Sequence, residues 1–255
     1  MLTSVIEIVQ DVAATVPTRT SGPATLDELY AEFVALDGPL TDELRTRLVA
    51  LGPAWARGAG DGWVVDAMDG AVQYLQGLPQ WCVSVTLVRE GLPVLTVLHS
   101  PFVGETYAAE AGSGAWRNGQ PVRPSAKTSL DAALATTSHP HTRQPDANRV
   151  AGHALPYVLD AVAAVRNLGP TSWQIADVAA GRVDLFWQFG LDRENLLGAS
   201  LIAREAGAVI TTATGRPWTP DAPSFLAAAP GLHAAAVTRF CNASIARQGD
   251  LAPIR

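Results

Sequence analysis

Two carboxylates three residues apart, Asp66 and Asp69, followed at once by Gly70, are the residues of this chain best suited by type and spacing to do chemistry. They lie in Trp63-Val-Val-Asp-Ala-Met-Asp-Gly-Ala71, where an apolar β-branched run meets a turn and then a glycine at which a helix can begin. A strand that ends in such a turn gathers two hard oxygen ligands and a backbone carbonyl around one point, which suits Mg²⁺. The helix start behind it offers N–H groups to a phosphate. D-x-x-D-G equally suits a solvated turn with a helix cap, and spacing alone does not choose. His139-Pro-His141 divides the same way between a metal pair and an exposed turn, the turn being the commoner use of such a pattern.

The elements around the turn follow from periodicity. Ser4 to Ala14 and Leu26 to Ala50 carry apolar residues at three-and-four spacing, among them Leu29, Phe33, Leu40, Leu44 and Leu48, with the turn-rich Pro17 to Pro23 between them. From Gly62 the pattern becomes β-rich: Trp63 to Asp66, Trp81 to Val88 and Leu92 to Leu98 read as neighbouring strands of one antiparallel sheet, with Arg89-Glu-Gly91 as a turn. Gly112 to Gly119 reads as a tight connection, and its Asn118-Gly119 is the strongest hairpin signal in the chain. Beyond Ser125 to Leu130 strands and helices alternate: strand Ala133 to Thr137, helix Ala151 to Ala164, helix Ser172 to Ala180 closed by Gly181, strand Val183 to Phe189, helix Asn195 to Ala206. The expectation is two parts, 1–128 with the leading helices, the antiparallel sheet and the D-x-x-D-G turn, and 129–255 as an α/β layer packed on it.

Composition excludes several classes. The chain has 255 residues, 48% hydrophobic and 16% charged, which is globular. A net charge of −6 supplies no basic footprint for nucleic acid or anionic membrane, so the expected partner is a small molecule or a protein. Cys82 and Cys241 are too few for a disulfide framework and read as reduced and buried. The first residues lack a basic n-region and an unbroken apolar stretch, and no later segment is apolar over about 18 residues, so a cytoplasmic location is expected. Abundant Ala, Val, Gly and Arg against few Lys suggest a GC-rich bacterial genome.

Residues 63 to 79, WVVDAMDGAVQYLQGLP, resemble the metal-binding signature W-V-I-D-P-I-D-G-T-x-N-F-x-x-G-x-P of the inositol monophosphatase family. Cys82 to Glu110 resembles that family's strand pair, Gly112 to Gly119 its G-x-G-A-F-x-N-G hairpin, Val178 to Asp184 its V-A-x-G-R-x-D segment, and Gly198 to Gly207 the helix ending its third motif. The resemblance runs in order over roughly residues 60 to 215. It implies an α+β fold of alternating layers, an αβαβα sandwich, and by family habit a homodimer. It also implies Mg²⁺-assisted hydrolysis of a phosphate monoester. Asp66, Asp69 and Glu194 would then be the catalytic carboxylates and, with the Met68 carbonyl, the metal ligands. Gly70 and Ala71 would present backbone N–H groups to the phosphate, and Gln188 and Trp173 would line the substrate site.

Four departures accompany the resemblance. The family's Gly-Glu-Glu motif has no counterpart in Leu51 to Gly58, and Ala71 stands where a Thr hydroxyl helps activate water. Arg193 to Gly198 stands for W-D-x-A-A-G, with Glu194 at the Asp and Asp192 in reserve, and Gln188 replaces a Glu. Trp55 and Trp173 would make the cleft more apolar. Three readings follow: a weak or altered Mg²⁺-dependent phosphomonoesterase, a repurposed metal-independent enzyme of specialised metabolism using acid/base chemistry, and a pseudoenzyme that binds a partner. Asp42, Glu43 and Asp61, in the right stretch but outside any matching motif, are the candidates to replace the missing pair.

Overall fold

The computed structural model describes residues 1–52, 61–140 and 142–250, with side chains as far as residue 242. Two helices lead: α1 (Leu2–Ala13) and α2 (Leu26–Ala50). The start of α2 is fixed by a reciprocal cap in which Thr25 Oγ1 accepts from Glu28 N–H at 3.2 Å and Glu28 Oε2 accepts from Thr25 N–H at 3.1 Å. Pro39 stands inside α2. Val5, Val9 and Val12 of α1 and Leu44 and Leu48 of α2 point into the core.

Beneath the helices lies an antiparallel sheet in chain order, β1 (Gly62–Asp69), β2 (Cys82–Arg89), β3 (Leu92–Ser100), β4 (Glu105–Glu110), β5 (Gly114–Arg117) and β6 (Gln120–Pro121), with the single helical turn and a half of α3 (Ala71–Leu75) after β1. The segment expected as one connection is therefore two turns with a strand between them. The second is the Asn118-Gly119 hairpin, both residues at positive φ (49° and 75°), as a two-residue turn matched to strand twist demands. A 3₁₀ turn, Leu130–Ala132, leads into the second sheet. That sheet comprises β7 (Leu134–Thr137), β8 (Ala164–Arg166), β9 (Leu185–Phe189), β10 (Val209–Thr211) and β11 (Ser224–Ala228), ordered β10-β11-β9-β7-β8 and parallel only where β7 meets β8 and β9. Helices α4 (Pro145–Leu159), α5 (Thr171–Ala179), α6 (Arg193–Ala206) and α7 (Pro230–Asp250) complete the described chain.

Three apolar clusters define the layers. One lies between α1/α2 and the first sheet, around Leu44, Val85 and Leu95. The second sets α5 and α6 between the sheets, around Ile175, Ile202 and Phe186. The third lies under α4 and α7, around Trp187, Leu226 and Phe240. The result is the expected αβαβα sandwich. No helix of the described residues is long and apolar enough to cross a membrane.

Two expectations need correction. The helix expected over Ala151 to Ala164 begins six residues earlier, because Pro145, with φ preset for a first helical position, starts it ahead of the apolar stripe. It also stops at Leu159, and Ala164 opens a strand, since a short Ala/Val run carries no period that separates the two. Both cysteines are free thiols, but only Cys82 is buried; Cys241 is half-buried on α7.

Candidate active site

The D-x-x-D-G turn is built on a β-bulge. In the β1–β2 ladder Asp66 faces Ser84 and Asp69 faces Cys82, so Ala67 and Met68 together oppose Val83 alone. The extra residue bends the strand and takes its backbone out of regular pairing. Asp66 Oδ1 steadies the bend by accepting from Met68 N–H at 3.0 Å. Gly70 then turns the chain at φ 93°, and a Cβ there would stand 2.6 Å from the Gln80 carbonyl oxygen, so no other residue fits. Tyr74 N–H closes α3 onto the Gly70 carbonyl at 3.0 Å.

Asp69 is tied to another layer. It is 6% exposed, and its Oδ2 accepts from the backbone N–H of Ser172 at 3.1 Å and from the Ser172 hydroxyl. Ser172 lies in the first turn of α5, whose N-cap is Pro170, a residue with no side-chain acceptor. Cys82 Sγ lies 3.5 Å from the same hydroxyl, and Thr171 Oγ1 donates to Ser138 Oγ at 2.8 Å beside it.

The charges at the corner are crowded. Burial pushes the Asp66 carboxyl well above the usual carboxylate range, and the negative charge of Asp69 adds to the shift. The Met68 N–H opposes it, while Asp37 and Glu194 reinforce it more weakly. Asp37, on α2, is itself raised by burial. Asp37 is thus the α2 carboxylate that reaches the field of Asp66, and nothing local in the sequence marks it. Asp42 and Glu43 are exposed, and Asp61 Oδ1 accepts from Glu90 N–H at 2.6 Å, bracing the β2–β3 turn.

The other expected site residues are scattered. Glu194 is exposed on the first turn of α6 and acts on Asp66 only through its charge. Gln188, expected to meet a ligand, is wholly buried and donates to Asp192 Oδ2 at 2.8 Å; Asn195 donates to Asp192 Oδ1 at 2.9 Å. Gln188 Oε1 and Asn195 Oδ1 are buried without a hydrogen-bond partner among the described residues. Trp173, expected along the substrate site, is 7% exposed and packs edge-on against Tyr107 in the core, ring centroids 5.0 Å apart. His139 is exposed, while His141, Trp55 and most of the Leu51 to Gly58 stretch lie outside the described residues.

A layered αβαβα sandwich with a carboxylate-bearing bulge at the end of its first strand defines a class of phosphatase-like folds. Residues 54–245 match the sequence profile of the inositol monophosphatase family, and the chain belongs to that family. It is 37% identical over 153 residues to an inositol-1-monophosphatase of Rhizobium meliloti, covering 60% of this chain and 57% of the relative. It is 34% identical over 171 residues to one of Mesorhizobium japonicum, covering 62% of each. The matches thus span about three fifths of these relatives' length. The inositol monophosphatase of Anabaena shares the fold over 94% of this chain and 95% of its own, at a TM-score of 0.80 and 22% identity.

The family is generally Mg²⁺-dependent and binds small phosphate ligands. The donor set here can be tested against that ion. Among the described residues no three His, Cys, Asp or Glu side chains form a ligating group. Mg²⁺, however, keeps several waters and is commonly held by one or two carboxylates plus substrate phosphate. Asp66, Asp69 and the Met68 carbonyl, which the bulge brings to one strand end, are the oxygen donors that would be available to a single Mg²⁺ held in that manner.

Proposed function

We propose that this chain hydrolyses a small phosphate monoester with Mg²⁺, using fewer ligands than the family's motifs specify and therefore turning over slowly. The observation that carries the reading is the bulge, with two carboxylates and the intervening carbonyl at one strand end, in a chain that belongs to a family of phosphatases. When bound, Mg²⁺ supplies an activated water and stabilises charge on the phosphoryl and leaving oxygens. Asp66 and Asp69 hold the ion, and the backbone at Gly70 and Ala71 faces the phosphate. Ala71 brings no hydroxyl to help deprotonate water, which is where the loss of rate enters. Glu194 and Asp37 contribute negative field rather than coordination.

A second reading has an observation of its own. A carboxyl held above its usual range, as Asp66 is, can act as a general acid without metal. Chelator separates the two. The proposal extends to a homodimer on the strength of the family membership alone.

The deciding measurement is phosphate release from a panel of sugar, polyol and nucleotide monoesters. Turnover that requires Mg²⁺ and disappears in Asp66→Asn and Asp69→Asn is the expected result. Turnover indifferent to chelator would transfer the case to metal-free acid/base chemistry.

A further inference from the structure

We propose that Ser172 is a positioning residue for Asp69: a buried hydroxyl on α5, in the layer between the two sheets, that sets the second carboxylate of the bulge before any cation arrives. The inference deepens the reading above, and rests on it for the metal.

The two carboxylates of the turn are held differently. Asp66 is braced from within its own bulge, by Met68 N–H two residues on. Asp69 is braced from 103 residues away, by two donors of one residue acting on one oxygen. The backbone part of that contact has a plain cause. The N–H groups of a first helical turn lack intrahelical partners, and Pro170 at the N-cap brings no side chain to satisfy them. Asp69 supplies the acceptor from β1, and a negative charge there also suits the helix dipole.

The hydroxyl part is chosen rather than forced, since an alanine at 172 would leave the backbone bond intact. A serine hydroxyl has one proton, and here it is given to Asp69. The neighbouring Cys82 thiol can then only donate to Ser172 Oγ, at 3.5 Å, and burial keeps that thiol neutral. Cys82 lies on β2 opposite Asp69 itself. The run of hydrogen bonds from Cys82 through Ser172 to the accepting Asp69 therefore starts on the strand beside the bulge, crosses to α5 and returns to the bulge, and it leaves the hydroxyl one direction to point. Ser172 is 1% exposed, so no solvent competes for the bond. Carboxylates that bind metal are themselves oriented by hydrogen bonds, and removing such a partner typically weakens metal binding by about 10–100-fold.

The test uses the full chain. Mg²⁺ is titrated calorimetrically into the wild type, Ser172→Ala and Ser172→Thr, and thermal midpoints are taken in EDTA for Ser172→Ala, Asp69→Asn and the double variant. The expected result is a Mg²⁺ Kd about 10–100-fold weaker in Ser172→Ala and largely restored in Ser172→Thr, which a packing defect would not reproduce. In EDTA the double variant should lose less than the sum of its parents. Wild-type affinity in Ser172→Ala, or additive losses in EDTA, overturns the proposal. A wild type that takes up no Mg²⁺ while the EDTA losses remain non-additive supports the hold of Ser172 on Asp69 and sinks the phosphatase reading instead.

Discussion

Two aspartates that the sequence marks with equal clarity end in opposite circumstances. Asp184, from the Val178-Ala-Ala-Gly-Arg-Val-Asp184 segment, is 2% exposed and fully engaged: its carboxylate accepts from Ser125 Oγ at 2.6 Å, Lys127 Nζ at 2.7 Å and the Leu134 N–H at 2.7 Å. It staples the segment between the sheets to the start of β7, an inner strand of the second one. Asp66 is pushed up by burial first and by the charge of Asp69 second, and the donor that opposes them is the Met68 N–H of its own bulge. A carboxylate surrounded by donors has a structural task that is already complete. One buried beside like charge costs the fold stability, and groups so placed cluster at functional sites.

Breaking the first half of the contrast gives the largest effect. Asp184→Ala strands the half-buried Leu134 N–H and removes bonds to a charged acceptor, and should lower stability by about 3 kcal/mol in urea denaturation. Little of that comes from Lys127, whose side chain is 43% exposed. The second half is tested by the ion itself. At a Mg²⁺ concentration about 100 times its Kd, the wild type should gain about 2.7 kcal/mol, and neither Asp66→Asn nor Asp69→Asn should gain comparably. An equal gain in all three would detach the metal from the bulge.

A smaller effect has the opposite sign from the first. Without metal, Asp66→Asn keeps the oxygen that receives the Met68 N–H but removes the cost of burying a charge and, second, the repulsion from Asp69, and should raise stability at pH 7 by on the order of 1 kcal/mol. The pH dependence follows from the raised pKa. In the window from about pH 4, the ordinary carboxylate range, up to the higher value in the folded protein, the native state holds more protons than the unfolded one. The Asp66 contribution is therefore present at low pH and is lost as pH rises through that window. Thermal melts in EDTA should show this slope in the wild type and a flatter one in Asp66→Asn.

Much of this fold was legible because its signals are local. Three-and-four apolar spacing gives α2 from Leu26 to Ala50, the Asn118-Gly119 pair sets a hairpin, and alternating apolar runs give β2 and β3 nearly to their ends. The bulge was half legible: D-x-x-D-G points to oxygen ligands, but the two-against-one register depends on where β2 pairs. Asp37 and Ser172 were not legible, since one reaches the corner from α2 and the other from a helix 103 residues beyond Asp69. No spacing encodes such a meeting. The expected roles of Gln188 and Trp173 came from family position, and burial moved both into the interior.

Gln188 gives the smallest test and separates family position from local physics. Its amide N–H bond to Asp192 stabilises, while its buried Oε1 has given up water without gaining a partner among the described residues. Replacing it with an apolar side chain of similar length loses the first term and recovers the second. Gln188→Met should therefore cost about 1 kcal/mol or less, since Asn195 still donates to Asp192. A loss of about 3 kcal/mol would mean that the Gln188 oxygen is satisfied in solution, by a buried water or a ligand group. The Asp192 cluster would then join Asp66 as a place where the fold holds open a polar demand that its own side chains do not meet.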